Sequence, residues 1–589
     1  LKLFTSSFCA GGIFAQVEQM AGPANPKRFA NQEEKIVQDA CDGLIWSTPN
    51  LGRLDTYPSI KVVFRTDWDK DKVAIISGGG AGHEPLHGGF VGKGMLTAAV
   101  SGETFASPTI DAVLSGIVQV TGPKGCLLVI KNYTGDRLNF TLAAQRARLR
   151  GLKVETVITK DDVATVAERG VAGTLFVHKC CGAVAEAGGS LEEVKAVAEA
   201  VIDSSASLGV SFSSVRRLKA EMVELSKMEV GLGIHGEPGA RVEDLAPADQ
   251  IVNTLMEGIM AGPRMKPEAK SMGCLSGLLN CLGLQKQAPM GYCCLINNLG
   301  SVPPQEMTIL TASLMKSKFA SSIKLLVGPG QLCTSLDMNG MSLSLLRLTP
   351  ELDTYLKAET SVAAWPKAVV PTFPKPVPGI SGLDPMEGIA ASSDEAVAAF
   401  ITKACEVLIA SKVHLDDLDS KVGDADCGST MANAGSAVLA AKDSLPLADA
   451  KMTCSGLASI CSKTMGGSSG VLMAIMFMGM ASSMEKVDKA TWAADGPKAF
   501  LDGLQAMMDA GGATTGSRTM LDALVPAAEA LIAGKGLAGA KAAAEAGCEA
   551  TKTMAPRAGR SENVPESAWR SVEDPGARAA ALVFGAVAS

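Results

Sequence analysis

Three short stretches in the first half of the chain combine residue types that can do chemistry. Ser77-Gly78-Gly79-Gly80-Ala81-Gly82-His83-Glu84-Pro85 places four glycines in five positions just ahead of a His-Glu pair. Glycine opens backbone conformations closed to other residues and lets a ligand come close to the main chain. The phosphate-loop patterns fail here. His83 stands where the dinucleotide motif needs its last glycine, and a Walker motif at Gly92-Lys93 would need a hydroxyl at Gly94 and a glycine at His87. The stretch reads as a small polar-ligand site at a strand end, or as a strand-to-helix turn with a satisfied surface histidine. In Lys131-Asn132-Tyr133-Thr134-Gly135-Asp136 a carboxylate can take a proton from an alcohol while an ammonium orients an oxygen. A solvated loop with an ion pair has the same composition. Gly231-Leu232-Gly233-Ile234-His235-Gly236-Glu237-Pro238-Gly239 matches the dinucleotide glycine spacing, but Glu-Pro-Gly follows where a helix should start. Of five histidines in the chain, His235 is the one set close to glycines on both sides. Neutral imidazole in such a place is a nucleophile or simply a satisfied turn residue.

The second half carries a different chemistry. Asp419-Ser420-Lys421-Val422-Gly423-Asp424-Ala425-Asp426-Cys427-Gly428 holds three carboxylates at intervals of five and two. Hard oxygen ligands at this density suit Mg2+ shared with substrate phosphates, and the spacing excludes an EF-hand. Helix capping and a solvated acidic turn are the alternative. Gly466-Gly467-Ser468-Ser469-Gly470 precedes a helical pattern and can offer N–H groups and hydroxyls to a phosphate. Gly511-Gly512-Ala513 and Arg518-Thr519-Met520-Leu521-Asp522 follow.

These residues must be positioned by at least two kinds of scaffold. Short Val/Ile/Leu runs at 72–77, 125–132 and 153–159 predict buried strands, with helical patterns between them, such as 32–46 behind Asn31 as N-cap. The alternation predicts α/β architecture with a largely parallel sheet. A second α/β unit is expected over about 250–365, with strands near 291–297 and 322–327. Six prolines between 366 and 392 predict an extended linker. Beyond it, 395–410, 447–463, 469–484, 497–510, 522–533 and 537–554 read as helices, with Pro497 at a first helical position. The domain expectation is an extension over 1–25, an α/β unit over 26–365, a linker over 366–392 and an all-α unit over 393–589.

The 589 residues carry 54 Lys and Arg against 61 Asp and Glu, a formal charge of −7. That balance lacks the basic face nucleic-acid binding needs. The 15 cysteines are an odd number without metal or disulfide spacing and read as small buried hydrophobes in a reducing compartment. The longest apolar run, 471–481, is about half a membrane span. A cytoplasmic location is expected, with a plastid or other organelle as the alternative because residues 1–17 have one Lys and no acid.

The motifs, in this order, resemble the dihydroxyacetone kinase family in its single-chain form, a substrate-binding K domain followed by an ATP-binding L domain built as an all-α helical barrel. The resemblance rests on 76–85, 91–99, 105–108, 131–136, 233–239, 334–338, 422–428, 466–470 and 518–524, and covers about 30–580. It implies that His235 bonds to the substrate carbonyl as a hemiaminal, which explains selection of short ketones and aldehydes over glycerol. It implies that Gly80, His83, Lys131 and Asp136 contact the substrate, with Asp136 as general base and His83 polarising the substrate. Asp419, Asp424 and Asp426 correspond to ligands of two Mg2+ ions (Mn2+ as the alternative) on ATP. Ser429, Ser468, Ser469, Gly511, Thr519, Met520, Asp574, Pro575 and Gly576 fall in nucleotide-binding stretches. The resemblance also implies a homodimer or a flexible linker to bring the two sites together, and no membrane partner. Some animal members also split FAD into AMP and cyclic FMN, and separate bacterial K and L subunits can act as regulators. The sequence departs from the family at Ala425, often Gly, and at Gly559-Arg560-Ser561-Glu562-Asn563, which lacks the usual Ala-Ser-Tyr after Gly-Arg.

Overall fold

The computed structural model describes residues 29–213, 226–265, 290–336, 338–379 and 388–589. The chain divides between Pro374 and Lys375 into two compact units.

The first unit is a stack of five layers. Its first sheet has six strands, β1 (Leu51–Arg53), β2 (Lys61–Arg65), β3 (Ala74–Ala81), β4 (Ala98–Thr104), β5 (Cys126–Lys131) and β6 (Val154–Thr159). They lie in the order β1-β2-β4-β3-β5-β6. β4, β3, β5 and β6 run parallel, and β1 and β2 form an antiparallel edge. Parallel strands need covering on both faces, so they read as unbroken apolar runs. In β5, Leu127 and Val129 face one core while Cys126, Leu128 and Ile130 face the other, as a two-residue pleat requires. Helices α1 (Ile36–Ser47), α2 (Ile110–Val120) and α3 (Thr134–Leu149) come next in the chain order of helices; α2 and α3 cover the outer face. Helices α4 (Thr174–Glu186) and α5 (Leu191–Asp203) fill the middle layer.

The second sheet contains β7 (Ser205–Ser213), β8 (Lys227–Val230), β9 (Arg241–Asp244), β10 (Tyr292–Asn298), β11 (Ile323–Gly330) and β12 (Asn339–Arg347), in the order β11-β10-β12-β7-β8-β9. Helices α6 (Ala248–Ala261) and α7 (Pro304–Lys316) back it, and α8 (Pro350–Lys357) joins the middle layer. The adjacent cysteines Cys293 and Cys294 point to opposite faces of β10, one into each core.

Several expectations change. The second sheet begins at β7, some 45 residues before the expected unit, and only β10 and β11 run parallel. β7 is built from Ser, Ala and Gly as well as Leu and Val, so it gives no apolar run to read. Asn31 does not cap α1: Lys35 holds the N-cap position and Asn31 bonds Asp39 instead, at 2.9 Å. Between 366 and 379 the chain makes no helix and one isolated bridge, Leu326 to Val369; 380–387 lie outside the described residues.

The second unit is all helical: α9 (Glu395–Ala410), α10 (Lys412–Val422), α11 (Cys427–Ala441), α12 (Ala450–Thr464), α13 (Gly467–Glu485), α14 (Trp492–Gly511), α15 (Leu521–Ile532), α16 (Gly536–Ala550), α17 (Glu566–Trp569) and α18 (Pro575–Val587). α9, α11, α12, α13, α14, α15, α16 and α18 each pack on the next, and α18 packs back on α9, so the ring closes. Pro497 is not a first residue. α14 starts at Trp492, five residues before Pro497, with Thr491 as its cap accepting from the Ala494 N–H, so Pro497 lies inside the helix. Helix α13 extends the apolar run at both ends and is long and apolar enough by length and composition to cross a membrane; in the fold it is packed between α12 and α14.

Candidate active site

In the first unit the predicted residues gather at the carboxyl ends of β3 and β5. Gly78 to Ala81 are the last residues of β3, Lys131 ends β5, and Asp136 lies in the first turn of α3. Such strand ends are the usual place for ligands in open α/β sheets. A Cβ on Gly80 would stand 2.7 Å from the Ala106 nitrogen, and one on Gly79 would stand 3.2 Å from Asp136 Oδ2 and 3.4 Å from Lys131 Cε. The glycines therefore let the strand pass between the 105–106 turn and the Lys131–Asp136 pair.

His83 is fully buried. Its Nδ1 lies 3.0 Å from the Thr334 carbonyl oxygen and its Nε2 lies 3.1 Å from Nε2 of His235. A carbonyl only accepts, so Nδ1 of His83 carries a proton and donates. Burial first, then the charges of Lys131 and His235, hold His83 well below the ordinary histidine range, so it is neutral. Its Nε2 is then an acceptor facing His235.

His235 arrives on the loop after β8, with its side chain 17% exposed, enough for a ligand to reach it. Tyr133 stands edge-on to its ring at 4.4 Å between centroids, and Phe105 at 5.6 Å. Phe105 itself adopts φ +57°, a strained conformation for a bulky side chain.

Lys131 Nζ is buried with no hydrogen-bond partner, the mark of a group awaiting a ligand. Asp136 is buried, and Ser107 Oγ donates to its Oδ1 at 2.5 Å. Burial raises its pKa against the opposing pull of Lys131 and Ser107. Sequence reading marked the stretch at 334–338 without a role. In the fold it clamps the site: Thr334 N–H donates to His83 O, Leu336 N–H to Gly82 O, and Ser335 Oγ to Ile234 O. Asp337 lies outside the described residues. Ser107 and Glu237 were given no role: only the resemblance at 105–108 pointed near Ser107, and Glu237 lay in the glycine-rich stretch 231–239 already singled out around His235.

In the second unit Asp419, Asp424 and Asp426 bring oxygens within 4.8 Å of one another; Asp419 is buried and the other two are exposed. Asp426 holds the N-cap position of α11 but makes no capping bond with its side chain. Asp419 Oδ2 takes that role, accepting from the N–H groups of Asp426 at 2.9 Å and Cys427 at 3.2 Å. A Cβ on Gly423 would stand 2.2 Å from Asp419 Oδ1, so glycine is required there. The three carboxylates fit a hard divalent cation with open positions. Asp416, unmarked in the sequence, accepts from both the N–H and the hydroxyl of Ser429, at 2.8 and 2.9 Å.

The other expected residues stand at neighbouring helix ends. Ser468 and Ser469 are in the first turn of α13 and Gly511 ends α14. Asp522 braces the loop before α15 by accepting from the N–H groups of Gly516 and Thr519. Asp574 caps α18, accepting from Ala577 N–H at 2.8 Å, and burial pushes its pKa up to about 6. Met520 lies on Gly576, its Cβ 3.2 Å from where a Gly576 Cβ would be. Met465, just ahead of Gly466, shares an apolar cluster with Leu415, Met431 and Ala579, against which Cys427 and Met520 also pack. One core patch thus carries the acidic turn, the α12–α13 turn and the Met520 loop.

The Dak1 domain model matches residues 42–364 and the DAK2 domain model matches 421–589. The chain belongs to the dihydroxyacetone kinase family. It is 40% identical to the dihydroxyacetone kinase of Citrobacter freundii over 573 residues, covering 95% of this chain and 98% of that one. It is 35% identical to the triokinase/FMN cyclase of Homo sapiens over 590 residues, covering 95% and 98%. Among solved structures, the C. freundii dihydroxyacetone kinase in complex with AMP-PNP and Mg2+ superposes with a TM-score of 0.65 at 39% identity, covering 95% of this chain and 99% of that one. The α/β first unit and the closed helical ring are the K and L domains of this family.

Proposed function

We propose that the protein transfers the γ-phosphoryl group of ATP to a hydroxyl of dihydroxyacetone, and of glyceraldehyde, while His235 holds the carbonyl as a hemiaminal. The observation that carries this reading is the pair of Nε2 atoms of His83 and His235, 3.1 Å apart beside buried Lys131 and Asp136. Glycerol has no carbonyl to capture, so the reading explains discrimination against it. His83 hydrogen-bonds the substrate oxygen, Lys131 orients a hydroxyl, and Gly80 leaves room for main-chain contact. Asp136 takes the hydroxyl proton; its raised pKa makes it a stronger base than an exposed carboxylate.

Asp419, Asp424 and Asp426 are the residues that would hold Mg2+, or Mn2+. When bound, the ion neutralises charge on the phosphate oxygens. Ser429, Ser468, Ser469, Gly511, Thr519, Met520, Asp574, Pro575 and Gly576 are the proposed nucleotide-binding residues. Transfer requires the nucleotide of one unit to reach the triose of the other, within one chain or across a homodimer. The described cysteines are free, which supports a reducing, cytoplasmic compartment.

The test is ADP release with dihydroxyacetone, glyceraldehyde and glycerol, each with Mg2+ and Mn2+. Equal rates with glycerol and dihydroxyacetone would overturn carbonyl capture. The 35% identity to a triokinase/FMN cyclase supports a second reading, cleavage of FAD to AMP and cyclic FMN at the same carboxylates. Incubation with FAD and Mn2+ distinguishes it by the cyclic product.

A further inference from the structure

Glu237 stands beside the proposed nucleophile in a built setting. Its Oε2 accepts from the backbone N–H of His235 at 2.8 Å, and its Oε1 lies 3.5 Å from His235 Nδ1. Gly233 makes room for it: a Cβ there would stand 2.3 Å from Glu237 Oε2 and 2.6 Å from Arg169 Nη1. The carboxylate and the guanidinium therefore occupy the space a side chain would need. Arg169 is buried and anchored, its Nε donating to Asp162 Oδ2 at 2.7 Å and its Nη2 to the Gly231 carbonyl at 2.9 Å. Burial alone would raise the Glu237 carboxyl, but its bonds to His235 outweigh this and hold it at about 2, so it is an anion.

We propose that Glu237 is a positioning residue that keeps a proton on His235 Nδ1, makes Nε2 the bond-forming nitrogen, and neutralises the adduct that results. The inference rests on the carbonyl-capture reading above. Both nitrogens of His235 face acceptors: Nδ1 faces the Glu237 carboxylate, and Nε2 faces the His83 nitrogen that the Thr334 carbonyl keeps unprotonated. Filling these contacts takes three protons on two rings, one of them shared between the Nε2 atoms. When a carbonyl enters, the shared proton first passes to His83 Nε2, which frees the Nε2 lone pair of His235 to form the bond to the carbonyl carbon. The C=O π pair moves to oxygen, which takes the shared proton. Nδ1 keeps its own proton, so the positive charge of the shared proton ends on the His235 ring, beside Glu237. Charge and protons balance without another reactant. The remaining groups around the ring are Tyr133, Phe105, and the charges of Lys131 and Asp136.

The test uses full-length protein labelled with 15N-histidine and dihydroxyacetone labelled with 13C at its carbonyl. His235 signals are assigned by difference with His235→Ala. The expected result is a tetrahedral carbon signal in the wild type, with Nδ1 protonated before and after capture. Glu237→Gln is expected to lower the adduct equilibrium constant about ten- to a hundredfold, the range for a lost charge-assisted hydrogen bond, and to make the adduct lose its Nδ1 proton at lower pH. Glu237→Asp restores part of both. A merely structural role would lower the melting temperature and move neither readout. Wild-type adduct levels in Glu237→Gln and Glu237→Ala, with Nδ1 titrating at an unchanged pH, would overturn the proposal. If the wild type gives no tetrahedral carbon, carbonyl capture itself fails; the free protein then still decides the tautomer, because retention of the Nδ1 proton in Glu237→Ala refutes the role of Glu237.

Discussion

The proposed triose site and the carboxylate cluster solve opposite problems. The first is assembled from distant segments: β3, the 105–107 turn, the β5–α3 junction, the His235 loop and the 334–336 loop. Its working groups are nearly all buried. The cluster comes from one turn of eight residues, 419–426, and two of its three carboxylates are exposed. A reversible bond to a carbonyl needs a nitrogen lone pair held in one orientation, which neighbouring groups supply. A cation that bridges phosphates needs the reverse, hydrated carboxylates with positions left open. Burial thus marks where covalent chemistry is proposed, and exposure marks where ions and phosphates are proposed to enter.

This contrast breaks most sharply if the halves are disabled separately. Combined Asp424→Ala and Asp426→Ala should abolish Mg-ATP turnover, by about 10⁴-fold for several kcal/mol of lost charge stabilisation. The hemiaminal should still form, seen as the tetrahedral carbon signal. Loss of that signal in the variant would mean the two sites do not work independently. Next in size, His235→Ala should lower turnover of dihydroxyacetone about 10³-fold and bring its rate to that of glycerol. Nucleotide binding, followed by calorimetry with a non-hydrolysable analogue, should persist. Retained discrimination between the two substrates would remove the role of His235.

A smaller effect sharpens the role of burial. Asp136 acts as a base only when ionised, and its pKa is raised by burial while Lys131 and Ser107 oppose the rise. Activity should therefore fall as pH drops through that raised value. Ser107 donates to the carboxylate and favours its charged form. Ser107→Ala should raise the pKa further and move the acid limb of kcat up by about one pH unit, the equivalent of one hydrogen bond to a charged group. An unmoved limb would assign the base to another group.

The two sites also differ in how far they could be read from the sequence. The carboxylate turn is contiguous, so its spacing alone suggests the candidate ligand set, with helix capping as the alternative. Glycine and histidine flagged the two glycine-rich loops, and the buried strands β3 and β5 showed as apolar runs; β6 was also found, but as an edge strand with Ile158 exposed it is not the buried strand expected. The pairing of His83 with His235 did not show, because 152 residues separate them. The resemblance marked 334–338, but its clamping role did not show, because it acts mainly through backbone groups, which carry no residue signature. β7 escaped because its Ser and Gly residues dilute the apolar pattern, and α10 and α11 escaped because the acidic turn between them reads as loop. Asp416 looked like a surface acid on a helix, and only the fold turns it onto Ser429.

The smallest predicted effect concerns two neighbours in the carboxylate turn. Ala425 has φ +64°, in the left-handed region, where an L side chain costs about 1–2 kcal/mol. Ala425→Gly removes that strain but frees the unfolded chain, at a cost of about 0.4–1 kcal/mol. The net expectation is a gain of about 0.5 kcal/mol, read as a rise in the thermal midpoint of the full-length protein and tighter Mn2+ binding. Gly423→Ala should do the opposite. Its φ is ordinary, but its Cβ would stand 2.2 Å from Asp419 Oδ1, so it must displace an oxygen of a proposed ligand. The same methyl group is thus predicted to be cheaply removed at 425 and badly tolerated at 423. If both substitutions weakened Mn2+ binding alike, backbone geometry would not be what sets the ligand positions in this turn.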